Sequence, residues 1–89
     1  MAISIALRPV SQSIADMHVS EDLAEALEDL REESNEVRIS NLEYLRKESK
    51  EYGLTSDSVD LLDALIDAAR EYDRSSGAEG RYFSIDVWY

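Results

Sequence analysis

Cysteine is absent from this 89-residue chain, which excludes a disulfide framework, a thiol nucleophile and any metal site built on cysteine. His18 is the only histidine, so the usual serine-histidine-aspartate triad and a histidine-based metal cluster are excluded as well. Gly77 and Gly80 lie close together in the sequence, but no strand precedes them to form a phosphate-binding loop. We therefore expect a protein that is not an enzyme, with no catalytic residues, no cofactor and no bound metal.

Basic residues are scarce. Lysine and arginine number 9 against 20 acids, which gives a formal charge of −11. Such a charge repels nucleic acids and anionic membrane surfaces, so we expect no direct contact with either. The chain also lacks an apolar run long enough to span a membrane, and its first residues lack the pattern of a signal peptide. The expected location is therefore cytoplasmic.

The apolar residues follow two periods. Residues 2–8 and 81–89 alternate between apolar and polar, which predicts two strands, whereas helical spacing predicts helices near 21–35, 41–52 and 57–73. Residues 10–19 fit either a helix or a strand. We predict one α+β domain over residues 1–89, in which three helices pack on one side of a small antiparallel sheet formed by the N- and C-terminal strands.

Local signals indicate where the helices begin and end. Ser20 is a suitable N-cap for the first helix, because its hydroxyl can accept a hydrogen bond from a free backbone N–H. Ser40 and Glu43 have the spacing of a capping box for the second helix, and Gly53 followed by Leu54 predicts a Schellman motif at its end. The apolar positions expected in the core are Ile3, Ile5, Leu23, Leu27, Leu30, Leu42, Leu45, Leu61, Leu65, Ile66, Phe83 and Ile85.

The first predicted helix is strongly acidic. Residues 21–36 contain eight acids and one base, Arg31, so their net charge is −7. On a helical wheel the leucines share one side, and Glu21, Glu25, Glu28 and Glu32 lie on the other. At about 1.5 Å per residue the acids are spaced by roughly 3 Å, close to the 3.4 Å charge spacing of a DNA strand. This pattern favours imitation of phosphate charge.

The third predicted helix carries a second acidic face. Tyr44 projects from the second helix towards solvent as a candidate interface anchor. A calcium site among the aspartates is disfavoured, because helical spacing spreads the carboxylates along a rod. The candidate partner-binding residues are Glu21, Asp22, Glu25, Glu28, Asp29, Glu32, Glu33, Glu36, Tyr44, Asp60, Asp63 and Asp67.

One stretch resembles a known family. The segments SIADMHVS, EDLAEALEDLREESN and ISNLEYLRKESKEYG follow the strand-helix-helix order of the ribbon-helix-helix repressors and antitoxins. The resemblance implies a dimeric protein and covers about half of the chain. That family's strand carries basic or polar residues that read DNA bases, whereas this one offers Ser13, Asp16 and His18.

The leading hypothesis is an acidic binding protein, encoded by a phage or mobile element, that blocks a basic nucleic-acid-binding surface by phosphate mimicry. In size and charge it resembles inhibitors of CRISPR and restriction systems, which act in the host cytoplasm. One alternative is a regulatory adaptor or antitoxin-like homodimer. Another is a halophilic structural protein, since acids dominate and arginine outnumbers lysine by 7 to 2.

Overall fold

The computed structural model describes residues 3–9, 14–31, 36–76 and 82–89. In chain order the elements are β1 (Ile3–Arg8), β2 (Ala15–Val19), α1 (Glu21–Leu30), β3 (Glu36–Val37), α2 (Ile39–Lys47), α3 (Ser56–Ser76) and β4 (Phe83–Trp88). The strands form an antiparallel sheet in the order β2-β1-β4-β3. The predicted α+β fold is therefore confirmed, with the two terminal strands paired at the centre and two further strands at the edges.

The sheet has one face against the helices and one face away from them. Ile5 lies between Met17 on β2 and Val87 on β4, and this row faces the core. The next row, formed by Ala6, Asp16 and Asp86, belongs to the outer face. This alternation is the pattern expected of an antiparallel sheet with helices on one side.

The core joins the inner sheet face to the helices. Ten of the twelve predicted core residues are buried, whereas Leu30 and Leu61 are only partly buried. Buried residues absent from the prediction include Leu7, Val37 and Leu62. The rings of Tyr72 on α3 and Phe83 on β4 meet edge to face at 6.2 Å, in the range that favours aromatic pairs.

The helix boundaries correct several predictions. α1 ends at Leu30, because Arg31 is already extended at ψ 134°, so the predicted helix over 21–35 is too long. α2 begins at Ile39, and the predicted capping box is wrong, since the Asn41 side chain accepts the Arg38 N–H at 2.8 Å. Ser20 does precede α1, but its hydroxyl makes no capping hydrogen bond.

Other local predictions are confirmed. Gly53 has φ +69°, the Gly53 N–H donates to the Lys50 carbonyl, and the Leu54 N–H donates to the Ser49 carbonyl, as in a Schellman motif. These bonds close a helical turn that continues beyond α2. Residues 15–19 form a strand, so the strand interpretation is confirmed for this part of residues 10–19. Predictions for residues 2, 10–13, 32–35 and 77–81, including Ser13, Glu32 and Glu33, lie outside the described residues.

Candidate protein-binding surface

The exposed side of α1 carries a row of three carboxylates, Glu21, Glu25 and Asp29, which we call the α1 row. Positions four residues apart lie on the same side of a helix and rise by about 6 Å per step. The inner side of α1 is held by Leu23 and Leu27, which are fully buried. Packing of the leucines therefore turns the α1 row towards solvent.

No cation of the described residues lies within ion-pair distance of the α1 row. Like charges four residues apart destabilise a helix by roughly 0.2–0.5 kcal/mol per pair. The row therefore opposes folding slightly, and no cation of the described residues compensates it, although the N-terminus of α1 favours Glu21. Its carboxylates are available to a positively charged partner.

The described arginines are all engaged elsewhere. Five form ion pairs, and Arg38 stacks over the Tyr82 ring at 4.2 Å. The five ion pairs are Arg8 with Asp86 at 2.8 Å, Arg31 with Glu28 at 3.9 Å, Arg46 with Asp63 at 2.8 Å, Arg70 with Glu43, and Arg74 with Glu71. Arg31, which follows α1, pairs with Glu28 beside the α1 row and not within it.

Asp22, predicted as part of the acidic surface, serves a different purpose in the fold. One of its oxygens accepts the Thr55 N–H at 3.0 Å, and the other accepts the hydroxyl of the fully buried Ser58 at 3.0 Å. Thr55 in turn accepts the Ser58 N–H at 3.2 Å through its own hydroxyl. A carboxylate of α1 thus caps the N-terminus of α3, where backbone N–H groups need acceptors.

These contacts change the acidity of Asp22. Burial pushes its pKa upward, but hydrogen bonds from the Thr55 N–H, the Ser58 hydroxyl and the Leu23 N–H outweigh burial. The net pKa lies below the ordinary 3.8. Asp22 is therefore charged at neutral pH and joins α1 to α3.

Tyr89 lies beside the acidic helix, which sequence reasoning did not predict. The Tyr89 hydroxyl donates to the Glu28 carboxylate, and this bond raises the pKa of Tyr89, with smaller contributions from lost hydration and from the charges of Glu28 and Glu25. The Tyr89 side chain is exposed. An exposed aromatic ring thus borders the α1 row. The sequence signal that could have indicated this contact is the position of Tyr89 in the alternating pattern of residues 81–89, on the same side as the core-facing residues.

The remaining predicted site residues lie apart from the α1 row. Asp63 and Asp67 line a groove between α2 and α3, which we call the α2–α3 groove, with Asp60 one turn before Asp63 on α3. Glu36 was predicted to widen the acidic helix face, but it lies on β3 opposite Ser84, on the outer face of the sheet. Tyr44 is 54% exposed on α2, as predicted.

The α2–α3 groove is balanced in charge. Its lining residues are Glu43, Arg46, Lys47, Asp63, Ile66, Asp67 and Arg70, which sum to zero. Lys47 follows Glu43 by one turn on α2, but Glu43 pairs with Arg70 across the groove. Asp63 is likewise neutralised by Arg46. The second acidic helix therefore does not extend the α1 row as a single acidic surface.

The outer sheet face presents two exposed aromatic residues, Tyr82 and Trp88. Arg8 lies 6.0 Å from the Trp88 ring and pairs with Asp86, and Arg38 covers Tyr82. Tryptophan, tyrosine and arginine are the residue types that dominate binding energy at protein interfaces. This face is thus a second candidate contact surface of different chemistry.

Within the described ranges, no group of three or more histidine or acidic side chains is arranged to hold a metal ion. None of the helices in this part of the chain is long and apolar enough to cross a bilayer.

Comparison with protein-family models, with curated proteins and with solved structures finds no match to this chain.

Proposed function

We propose that this protein is a non-enzymatic binding protein whose α1 row docks on a basic nucleic-acid-binding surface of another protein, in place of nucleic-acid phosphates. The observation that supports the proposal is that no described cation forms an ion pair with Glu21, Glu25 or Asp29, although five of the six described arginines pair with acids outside the row. A partner's lysines and arginines would relieve the repulsion within the row.

The charges of α1 that face solvent extend over a shorter length than the sequence predicted. α1 has ten residues and spans about 15 Å at 1.5 Å per residue, which is shorter than the predicted helix over 21–35. It carries five acids, but Asp22 caps α3 and Glu28 pairs with Arg31, which leaves the three carboxylates of the α1 row at steps of about 6 Å. These three charges in line would take the place of backbone phosphates on a basic surface, and inhibitors encoded by phages and mobile elements are the class that this function suggests.

Charge reversal with a matched control tests the proposal. The variant Glu21→Lys with Glu25→Lys changes the α1 row by four charge units, and Glu48→Lys with Glu51→Lys makes the same change beyond α2. Neither control acid forms an ion pair with a described residue. Proteins captured from lysate by the wild type would be identified, and their affinities for all three forms measured.

We expect the α1 variant to lose about two orders of magnitude in affinity and the control less than about threefold, since close charge pairs at interfaces contribute about 1.5 kcal/mol or more each. DNA or RNA should compete with the wild type for the partner. Equal affinities of the two variants, or no competition by nucleic acid, would contradict phosphate mimicry.

A regulatory adaptor is the second candidate, and the exposed Trp88 and Tyr82 on the outer sheet face favour it. In that case Trp88→Ala would abolish partner binding while the reversal in the α1 row leaves it intact. The two functions are thus separated by which surface the partner needs.

A further inference from the structure

The strand β2 forms an open edge of the sheet. One side of β2 pairs with β1, and in the part of the chain that the structure describes no strand pairs with its other side. The opposite edge strand, β3, has only two residues, whereas β2 has five. Edge strands are usually protected by lysine, proline or a bulge, and β2 contains no lysine or proline.

The sequence of β2 is complementary to itself in one register. In an antiparallel pair centred on Met17, Asp16 lies opposite His18 of the other strand, and this pair occurs twice. On the inner face Ala15 lies opposite Val19, also twice. We propose that β2 pairs in this register with β2 of a second copy of this chain, giving a continuous eight-stranded sheet.

His18 is positioned for this contact. The Ser4 hydroxyl oxygen lies 3.1 Å from His18 Nδ1, which leaves Nε2 as the ring nitrogen that would bind the second copy. Asp16 and His18 are both exposed on the outer face. A carboxylate has about four acceptor sites, so Asp16 can bind this histidine in addition to the interaction that it already makes.

An apolar pocket at the same edge supports the pairing. It has a volume of about 320 Å³ and lies between the start of β2 and α3, where Ile14, Ala68 and Tyr72 are each only partly buried. In this register Ile14 lies opposite Ser20 of the other copy, so the two pockets lie on opposite sides of the two-fold axis. Antiparallel pairing keeps the helices of both copies on the same side of the sheet, so the start of the other copy's α1 would lie beside each pocket and cover part of its apolar surface.

The dimer and the proposed partner complex have opposite responses to salt. Two copies each carry a formal charge of −11, so salt should strengthen the dimer by screening their repulsion. Binding of the α1 row to a basic partner should instead weaken with salt. Because the β2 edge does not contain the α1 row, either proposal can fail without the other.

Analytical ultracentrifugation of the full chain in about 0.5 M NaCl is the first test, since the Debye length there is only about 4 Å. We expect a reversible dimer. His18→Asp places two carboxylates opposite each other at both pairs, and the dimer dissociation constant should rise by at least about tenfold. The exchange Asp16→His with His18→Asp restores the complementary pairs and should restore dimerisation. A monomer at all concentrations, or an exchange variant no better than His18→Asp, would overturn the proposal.

Cross-linking tests the register even if charge variants fold poorly. The chain has no cysteine, so Met17→Cys introduces one thiol at the two-fold axis, where opposed Cα atoms are about 4.5–5.5 Å apart and suit a disulfide. Mild oxidation should give a covalent dimer in high yield. Ser40→Cys, at an exposed site on α2, is the control and should give little. Equal yields from both variants would overturn the register.

Discussion

The α1 row and the α2–α3 groove contain similar numbers of carboxylates but differ in what surrounds them. In the groove, Glu43 meets Arg70 and Asp63 meets Arg46, so the charges hold two helices together. Along the α1 row no described cation is present, and the acids only repel one another. The groove charges therefore have a role within the fold. The charges of the row have no such role among the described residues, which is the reason for proposing a contact with a partner.

The largest effect on folding should come from the core beneath both surfaces. Leu65 on α3 is fully buried, and Leu65→Ala removes its packing and leaves a cavity. The free energy of unfolding should fall by roughly 2–5 kcal/mol. Urea denaturation measures this, and a loss below about 1 kcal/mol would mean that α3 packs less tightly than the structure shows.

Asp22 should be the acid of α1 that folding needs most. Asp22→Ala leaves the buried Ser58 hydroxyl and the Thr55 N–H without their acceptor and should cost about 1–3 kcal/mol. Because the pKa of Asp22 is lower in the folded state, its contribution is complete above pH 3.8 and is lost as pH falls through the folded-state pKa. The wild type and Asp22→Ala should therefore converge in stability under acid. Parallel curves down to about pH 2 would contradict the capping role.

In the α1 row, neutralisation should have the opposite sign. Glu25 has a like charge four residues away on each side, so Glu25→Gln relieves two repulsions. The free energy of unfolding should rise by about 0.4–1 kcal/mol at low salt and less at high salt. Thermal unfolding at two salt concentrations checks this. A destabilised variant would show that Glu25 has an internal partner.

The groove ion pairs should contribute least. A double-mutant cycle with Arg46→Ala and Asp63→Ala should give a favourable coupling of about 0.2–1 kcal/mol, because both side chains are nearly half exposed. The coupling should shrink as salt increases. Zero coupling at low salt would remove the contrast between the paired groove and the unpaired row.

The sequence predicted what depends on local spacing. Alternation located β1 and β4, leucine periodicity located the helix cores, and Gly53 with Leu54 indicated the end of the turn after α2. Contacts between distant residues were not predictable from spacing. Glu43 has Lys47 nearby in sequence, yet it pairs with Arg70, 27 residues away.

For the candidate site too, local spacing was predictive and contacts between distant residues were not. Helical spacing placed Glu21, Glu25 and Asp29 on the exposed side of α1 correctly. It did not reveal that Asp22 caps α3, because the residues that bind it lie 33 and 36 positions away. It also grouped Glu36 with the acids of the first helix, whereas pairing with β4 draws that residue into the sheet.

The central claim is that the α1 row makes a charge-driven contact with a basic partner, and the salt dependence of binding tests it most directly. The dissociation constant of the captured partner would be measured from about 0.1 M to about 1 M NaCl, where the Debye length falls from roughly 10 Å to 3 Å. We expect the affinity of the wild type to fall steeply as the salt concentration rises. The variant Glu21→Lys with Glu25→Lys should lose both the affinity and its salt dependence. An affinity that is independent of salt, or a reversed row that binds like the wild type, would contradict it.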